Sequence, residues 1–132
     1  MHHVELRVAD LEATTPSWTW LLTELGYELF QSWADGISWK RADTYIVLER
    51  SPHPVGHDRR RAGLSHLAFH MTDKSDVDRL WLDALEHGWT RLYEDRHPWA
   101  GGAPGAESSG HYAAFLENTE RFKVELVAGS TD

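Results

Sequence analysis

The sequence predicts an α+β fold: two βαβββ units whose mixed sheets curl into one cup, with the helices outside. Three observations predict it. A short alternating pattern occurs twice, as His3-Val4-Glu5-Leu6-Arg7-Val8 and as His66-Leu67-Ala68-Phe69-His70-Met71. Each copy leads into a stretch of helical spacing that stops at a glycine–aromatic pair, Gly26-Tyr27 and Gly88-Trp89. Three strand-like segments follow each of these stretches. The expectation is a single domain of residues 1–132, with a first module of about 1–50, a linker at 51–63 and a second module of about 64–128.

Residues 3–8 read as a half-buried strand, with His3, Glu5 and Arg7 on one face and Val4, Leu6 and Val8 on the other. The helix after it takes Thr15 as N-cap, Pro16 as its first residue and Gly26 as its stop. Trp18, Leu21, Leu22 and Leu25 recur at helical spacing and form its core face. Strands are predicted from Tyr27 to Trp33, from Gly36 to Ala42 and from Thr44 to Arg50, with Asp35-Gly36 as the hairpin signal.

The second unit repeats this order. Ser65 to Met71 is a strand, with His66, Ala68 and His70 facing into the cup and Leu67, Phe69 and Met71 under the helix. Asp73 or Ser75 caps a helix whose apolar face is Val77, Leu80, Trp81 and Leu85, and Gly88 ends it. Trp89 to Glu94, His111 to Glu117 and Phe122 to Ala128 are strands. The long glycine-rich segment 95–109 is a lid candidate. A slip of one residue in either first strand would bury its charged set, so the register is well determined.

Composition narrows the function. The net charge of −8 disfavours nucleic acid and acidic membranes, and the one basic run, Arg59-Arg60-Arg61, reads as a solvated loop. There is no cysteine, which excludes disulfides, thiolate nucleophiles and cysteine zinc sites. No apolar run approaches the roughly 20 residues of a membrane span, and no signal-peptide core follows Met1. A cytoplasmic protein without a membrane partner is expected.

Chemistry centres on histidine. A repeated unit that carries His3 and His66 on its first strands can bring two imidazoles to one pseudo-symmetric centre. Glu125 lies on the polar face of the last strand within an otherwise apolar stretch, where a carboxylate is costly unless paired or metal-bound. Two imidazoles and one carboxylate leave coordination positions open, as a catalytic divalent site requires.

The stretches His3 to Leu11 (HVELRVADL), Gly63 to Phe69 (GLSHLAF) and Tyr112 to Leu126 (YAAFLENTERFKVEL) resemble the vicinal-oxygen-chelate superfamily of glyoxalases, bleomycin-resistance proteins, fosfomycin-resistance enzymes and extradiol dioxygenases. The resemblance implies one divalent ion (Fe, Mn, Ni, Zn or Co) on His3, His66 and Glu125. It also implies a small substrate that chelates through adjacent oxygens, isomerase, lyase, epoxide-opening or dioxygenase chemistry, and a homodimer. The family's fourth ligand position falls on Val47, which cannot ligate, so glutathione-dependent glyoxalase activity is disfavoured. Glu49, two residues on, is a candidate ligand or general base, and Tyr112 is a candidate proton donor to a bound oxyanion. The final turn, Asn118-Thr119-Glu120-Arg121, lacks the family's proline and glycine.

Blander readings stand beside these. His2-His3 reads alternatively as a tag remnant, His66 as a core histidine and Glu125 as a partner of Arg7. His70 is a structural residue or a second layer behind the ion, and His111 a loop or surface histidine. Trp33, Trp39 and Trp99 are candidate pocket walls, which suits a metal-free cup that stacks an aromatic drug or metabolite without chemistry. An interaction protein with a vestigial cup is a third reading.

Overall fold

The computed structural model describes residues 1–101 and 110–129. The fold is α+β, and the chain divides into two compact units, Met1–His57 and Asp58–Asp132.

The first unit runs β1 (His3–Val8), α1 (Leu11–Glu24), β2 (Glu28–Trp33), β3 (Gly36–Arg41) and β4 (Thr44–Arg50). Its sheet has the order β1-β4-β3-β2, with β1 parallel to β4 and the other pairs antiparallel. Leu6, Val8, Trp39, Ile46 and Leu48 are buried on one face, and α1 lies against β4. Trp18, Leu21 and Leu22 of α1 have no exposed surface, and each such side chain contributes about 2 kcal/mol of burial. Trp39 is therefore a core residue rather than a pocket wall: it pairs with Ile46 and shares that residue's face.

The start of α1 differs from expectation. Asp10, not Thr15, is the N-cap, and its carboxylate accepts from the Ala13 N–H at 3.1 Å. Pro16 therefore sits inside the helix and has no N–H to offer the Glu12 carbonyl. The hydroxyl of Thr15 turns back to the Leu11 carbonyl instead of capping. The helix ends as expected at Gly26 (φ +88°), where the Tyr27 N–H reaches the Leu22 carbonyl at 2.8 Å.

The second unit runs β5 (His66–His70), α2 (Lys74–Asp83), a 3-10 turn (Ala84–His87), β6 (Trp89–Leu92), β7 (Tyr112–Asn118) and β8 (Lys123–Ala128). Its sheet has the order β5-β8-β7-β6, with β5 parallel to β8. α2 packs on β7 and β8 through Val77, Leu80 and Trp81. Ala84 is buried and Leu85 is 53% exposed, a correction to the expected apolar face. Residues 77, 80, 81 and 84 keep one helical stripe, and 85 falls off it. Tyr93 takes a positive φ of 60°, which stops β6 at Leu92.

The turn between β7 and β8 works without proline or glycine. Asn118 Oδ1 accepts from the N–H groups of Glu120 and Phe122, and Arg121 adopts the left-handed conformation (φ +68°) that glycine usually supplies. Among the described residues no helix is long and apolar enough to cross a membrane. Most of the lid candidate, 102–109, lies outside the described residues.

Candidate functional site

The register of the second sheet decides which side chains meet. Ala68 pairs with Glu125, Phe115 pairs with Glu125, and His66 pairs with Lys123. His66, Ala68 and His70 thus share a face with Lys123 and Glu125, and with Ala113, Phe115 and Glu117 of β7. On that face Glu125 is only 6% exposed.

Glu125 holds two imidazoles, one on each carboxylate oxygen. Nε2 of His66 lies 3.1 Å from Oε1, and Nε2 of His111 lies 2.7 Å from Oε2. A buried carboxylate loses its hydration, and these two contacts replace it. Ser65 Oγ stands 3.0 Å from Nδ1 of His66, so one ring nitrogen is anchored and the other points at Glu125. Gly101 closes over the pair. A Cβ there would meet the His111 ring at 2.4 Å and Glu125 Oε2 at 3.0 Å.

Aromatic and cationic groups flank this centre. The Phe115 ring meets the His66 ring edge-on at 6.0 Å, and Tyr93 packs edge-on against Phe115 at 5.3 Å. Lys123 Nζ sits 5.4 Å from both the Tyr93 and the Phe115 ring centres and donates to the Tyr93 hydroxyl at 3.2 Å. Arg59 pairs with Glu117 at 2.6 Å, and the carboxylate raises the Arg59 pKa further.

The remaining candidates stand on other strands. His3 belongs to the first unit, where its ring stacks on Tyr45 at 4.7 Å and its Nδ1 lies 2.8 Å from Nδ1 of His2. Glu49 shares the polar face of that sheet, since Arg7 pairs with Glu49 and Glu5 with Val47. Burial, and then the hydrogen bond and charge of Glu49, hold the Glu5 carboxyl above its ordinary pKa. Arg7 pairs with Glu5 at 3.7 Å. Val47 is buried.

Tyr112 departs from its expected place. Strand parity puts it with Ala114 and Leu116, on the face away from Glu125, and its hydroxyl donates to Asp78 of α2. Burial, then the Asp78 contact, push its pKa up to about 12. That phenol is a link from strand to helix, not a donor on the Glu125 face. Trp99 meets the Tyr112 ring edge-on at 5.4 Å, and His97 stacks on Trp81 at 3.9 Å. Trp33 is 43% exposed and, with Pro16 and Ile37, lines an open cleft of about 350 Å³ in the first unit.

His111 and Gly101 are the residues that sequence reasoning missed. His111 precedes β7 by one position and has the parity of Ala113 and Phe115, which is the parity of Glu125. That alternation is the signal that would have found it. Gly101 left no signal, because nothing in its local sequence marks the side chains it approaches.

The donor types fit a divalent cation. Two ligands roughly 2.1 Å from one ion and at right angles are about 3.0 Å apart, and His66 Nε2 and Glu125 Oε1 are 3.1 Å apart. Among the described residues no group of three or more His, Asp and Glu side chains is placed to hold a metal ion. Glu125 Oε2 is already held by His111.

No protein-family model matches the chain. It is 47% identical over 133 residues to protein YqjT of Bacillus subtilis (strain 168), covering 98% of this chain and 99% of that one. A crystal structure of a candidate glyoxalase from Bacillus halodurans superposes with a TM-score of 0.87 at 46% identity, covering 97% of this chain and 94% of that one. A point mutant of FosX, a fosfomycin-resistance protein of Listeria monocytogenes, solved with Mn(II) and a dihydroxypropylphosphonic acid, shares the fold at TM-score 0.69 and 20% identity, covering 98% of this chain and 90% of that one. The chain belongs to the glyoxalase-type family of the vicinal-oxygen-chelate superfamily.

Proposed function

We propose that this protein is a metal-dependent enzyme acting on a small substrate that binds the ion through two adjacent oxygens. The observation that carries this reading is the His66–Glu125 pair: an imidazole nitrogen and a buried carboxylate oxygen at ligand spacing, backed by Ser65. FosX, which shares the fold, was solved with Mn(II). The resemblance adds His3 as a further ligand, and that assignment rests on the family pattern alone.

A bound ion would supply Lewis acidity toward a developing oxyanion or enolate. This chain's residues do the rest. Ser65 holds Nδ1 of His66 and leaves Nε2 for the site. Phe115 and Tyr93 form an apolar wall beside it. Lys123, fixed on the Tyr93 hydroxyl, supplies a positive charge on the same face. By the resemblance alone, Glu49 of the first unit, which shares a hydrogen bond with Glu5, is a further ligand or the base. Isomerase, lyase, epoxide-opening and dioxygenase chemistry all fall within this arrangement, and a cytoplasmic homodimer is the proposed working form.

The test is metal content. Protein purified without a tag, stripped with chelator and titrated with Mn(II), is expected to take up one ion per chain by electron paramagnetic resonance. A second reading, a metal-free binder of an aromatic compound, draws support from the Trp33-lined cleft and from a Glu125 carboxylate that two imidazoles already satisfy. Absence of Mn(II) uptake, together with quenching of tryptophan fluorescence by planar aromatic compounds, would select it.

A further inference from the structure

The geometry points to His111 as a positioning residue for Glu125, locked in place by the close approach of Gly101. This rests on the metal-binding reading above and adds to it a residue outside the family's ligand pattern. Glu125 has two oxygens with two different jobs. Oε1 faces His66, and Oε2 takes the shorter contact, 2.7 Å, from His111. A carboxylate free to rotate presents either oxygen, or both, to an ion. With Oε2 held, Glu125 presents Oε1 alone. Outer-layer partners of this kind typically change metal affinity about 10- to 100-fold when removed.

His111 is itself constrained. It lies just before β7, on the parity of Phe115, so its ring is delivered to the Glu125 face. The Gly101 backbone fills the space beside its Cδ2 and Nε2 so closely that any side chain there must displace the ring. Position 101 therefore presses first on the His111 ring and then on Glu125 Oε2, and contributes no donor atom.

Four variants test this against wild type, with Mn(II) as the probe and Co(II) absorption as the spectroscopic readout. His111→Ala is expected to keep one ion per chain and bind Mn(II) about 10-fold or more weakly. His111→Gln, whose amide can donate to Oε2, is expected to regain most of that loss. Gly101→Ala, with every donor present, is expected to weaken binding in the same direction. The Co(II) band should move in His66→Ala and stay in place in His111→Ala. Wild-type affinity in both His111→Ala and Gly101→Ala overturns the inference. So does a Co(II) band that moves in His111→Ala as it does in His66→Ala, because His111 would then be a ligand. If wild type takes up no Mn(II), the metal reading fails by itself. Crystal structures of wild type and His111→Ala then decide the positioning role: a reoriented Glu125 carboxylate supports it, and an unmoved one overturns it.

Discussion

His66 and Glu125 meet although they do not pair in the sheet. Their strands run parallel, Glu125 is the register partner of Ala68, and yet Nε2 of His66 comes within 3.1 Å of Oε1. Side chains at i and i+2 of a strand share a face, so a long glutamate reaches the histidine one step back.

That relationship gives the first prediction. His66→Ala and Glu125→Gln should each lower Mn(II) affinity at least about 10-fold, measured by titration with paramagnetic resonance detection. His3→Ala tests the ligand assigned by family pattern, and an affinity equal to wild type there removes His3 from the set. Full metal occupancy in His66→Ala would sink the assignment altogether.

Tyr112→Phe should cost stability and spare the metal. The lost hydrogen bond to Asp78 is worth about 1 kcal/mol in urea unfolding. The folded pKa of about 12 exceeds the ordinary 10.0, so the folded phenol keeps its proton where the unfolded one has lost it. Its contribution is fully present below pH 10 and declines as pH rises toward 12. The phenylalanine variant should lack that alkaline component, while its Mn(II) affinity matches wild type.

Gly36→Ala should destabilise the first unit. A Cβ there would stand 2.4 Å from the Trp33 ring and 2.8 Å from the Leu48 carbonyl oxygen. Overpacking against backbone costs about 1–3 kcal/mol, read as a lower thermal midpoint. An unchanged midpoint would show that the Trp33 ring and the Leu48 backbone both give way without cost.

His97 should make the fold acid-sensitive. Burial holds its pKa below 6.5, outweighing the raising effect of Asp78, and its ring stacks on Trp81. The folded state therefore prefers the neutral ring. That stability is present above pH 6.5 and lost as pH falls from there through the depressed folded value. His97→Phe keeps a ring on Trp81 and should flatten this part of the stability–pH curve. A curve identical to wild type would assign the acid limb to other groups.

Local chemistry made most of the fold legible. Alternation fixed the faces of β1 and β5, and helical spacing found Trp18, Leu21 and Leu22. Gly26 and Gly88 marked the helix stops, because left-handed backbone is written in residue identity. The start of α1 was misplaced because Asp10 and Thr15 are both capping residues, and only the Ala13 N–H chooses between them. The side on which Tyr112 falls depends on the pairing of β7 with β8, which no single strand records.

The sequence by itself determined that His66 and Glu125 stand on polar faces of their strands, since those patterns are local. Only the tertiary structure decided that His111 joins them and that Gly101 closes over all three. Those contacts depend on strand pairing and on the close approach of the Gly101 backbone. Alternation fixes the face on which His111 stands, but packing alone sets the distance between segments far apart in sequence.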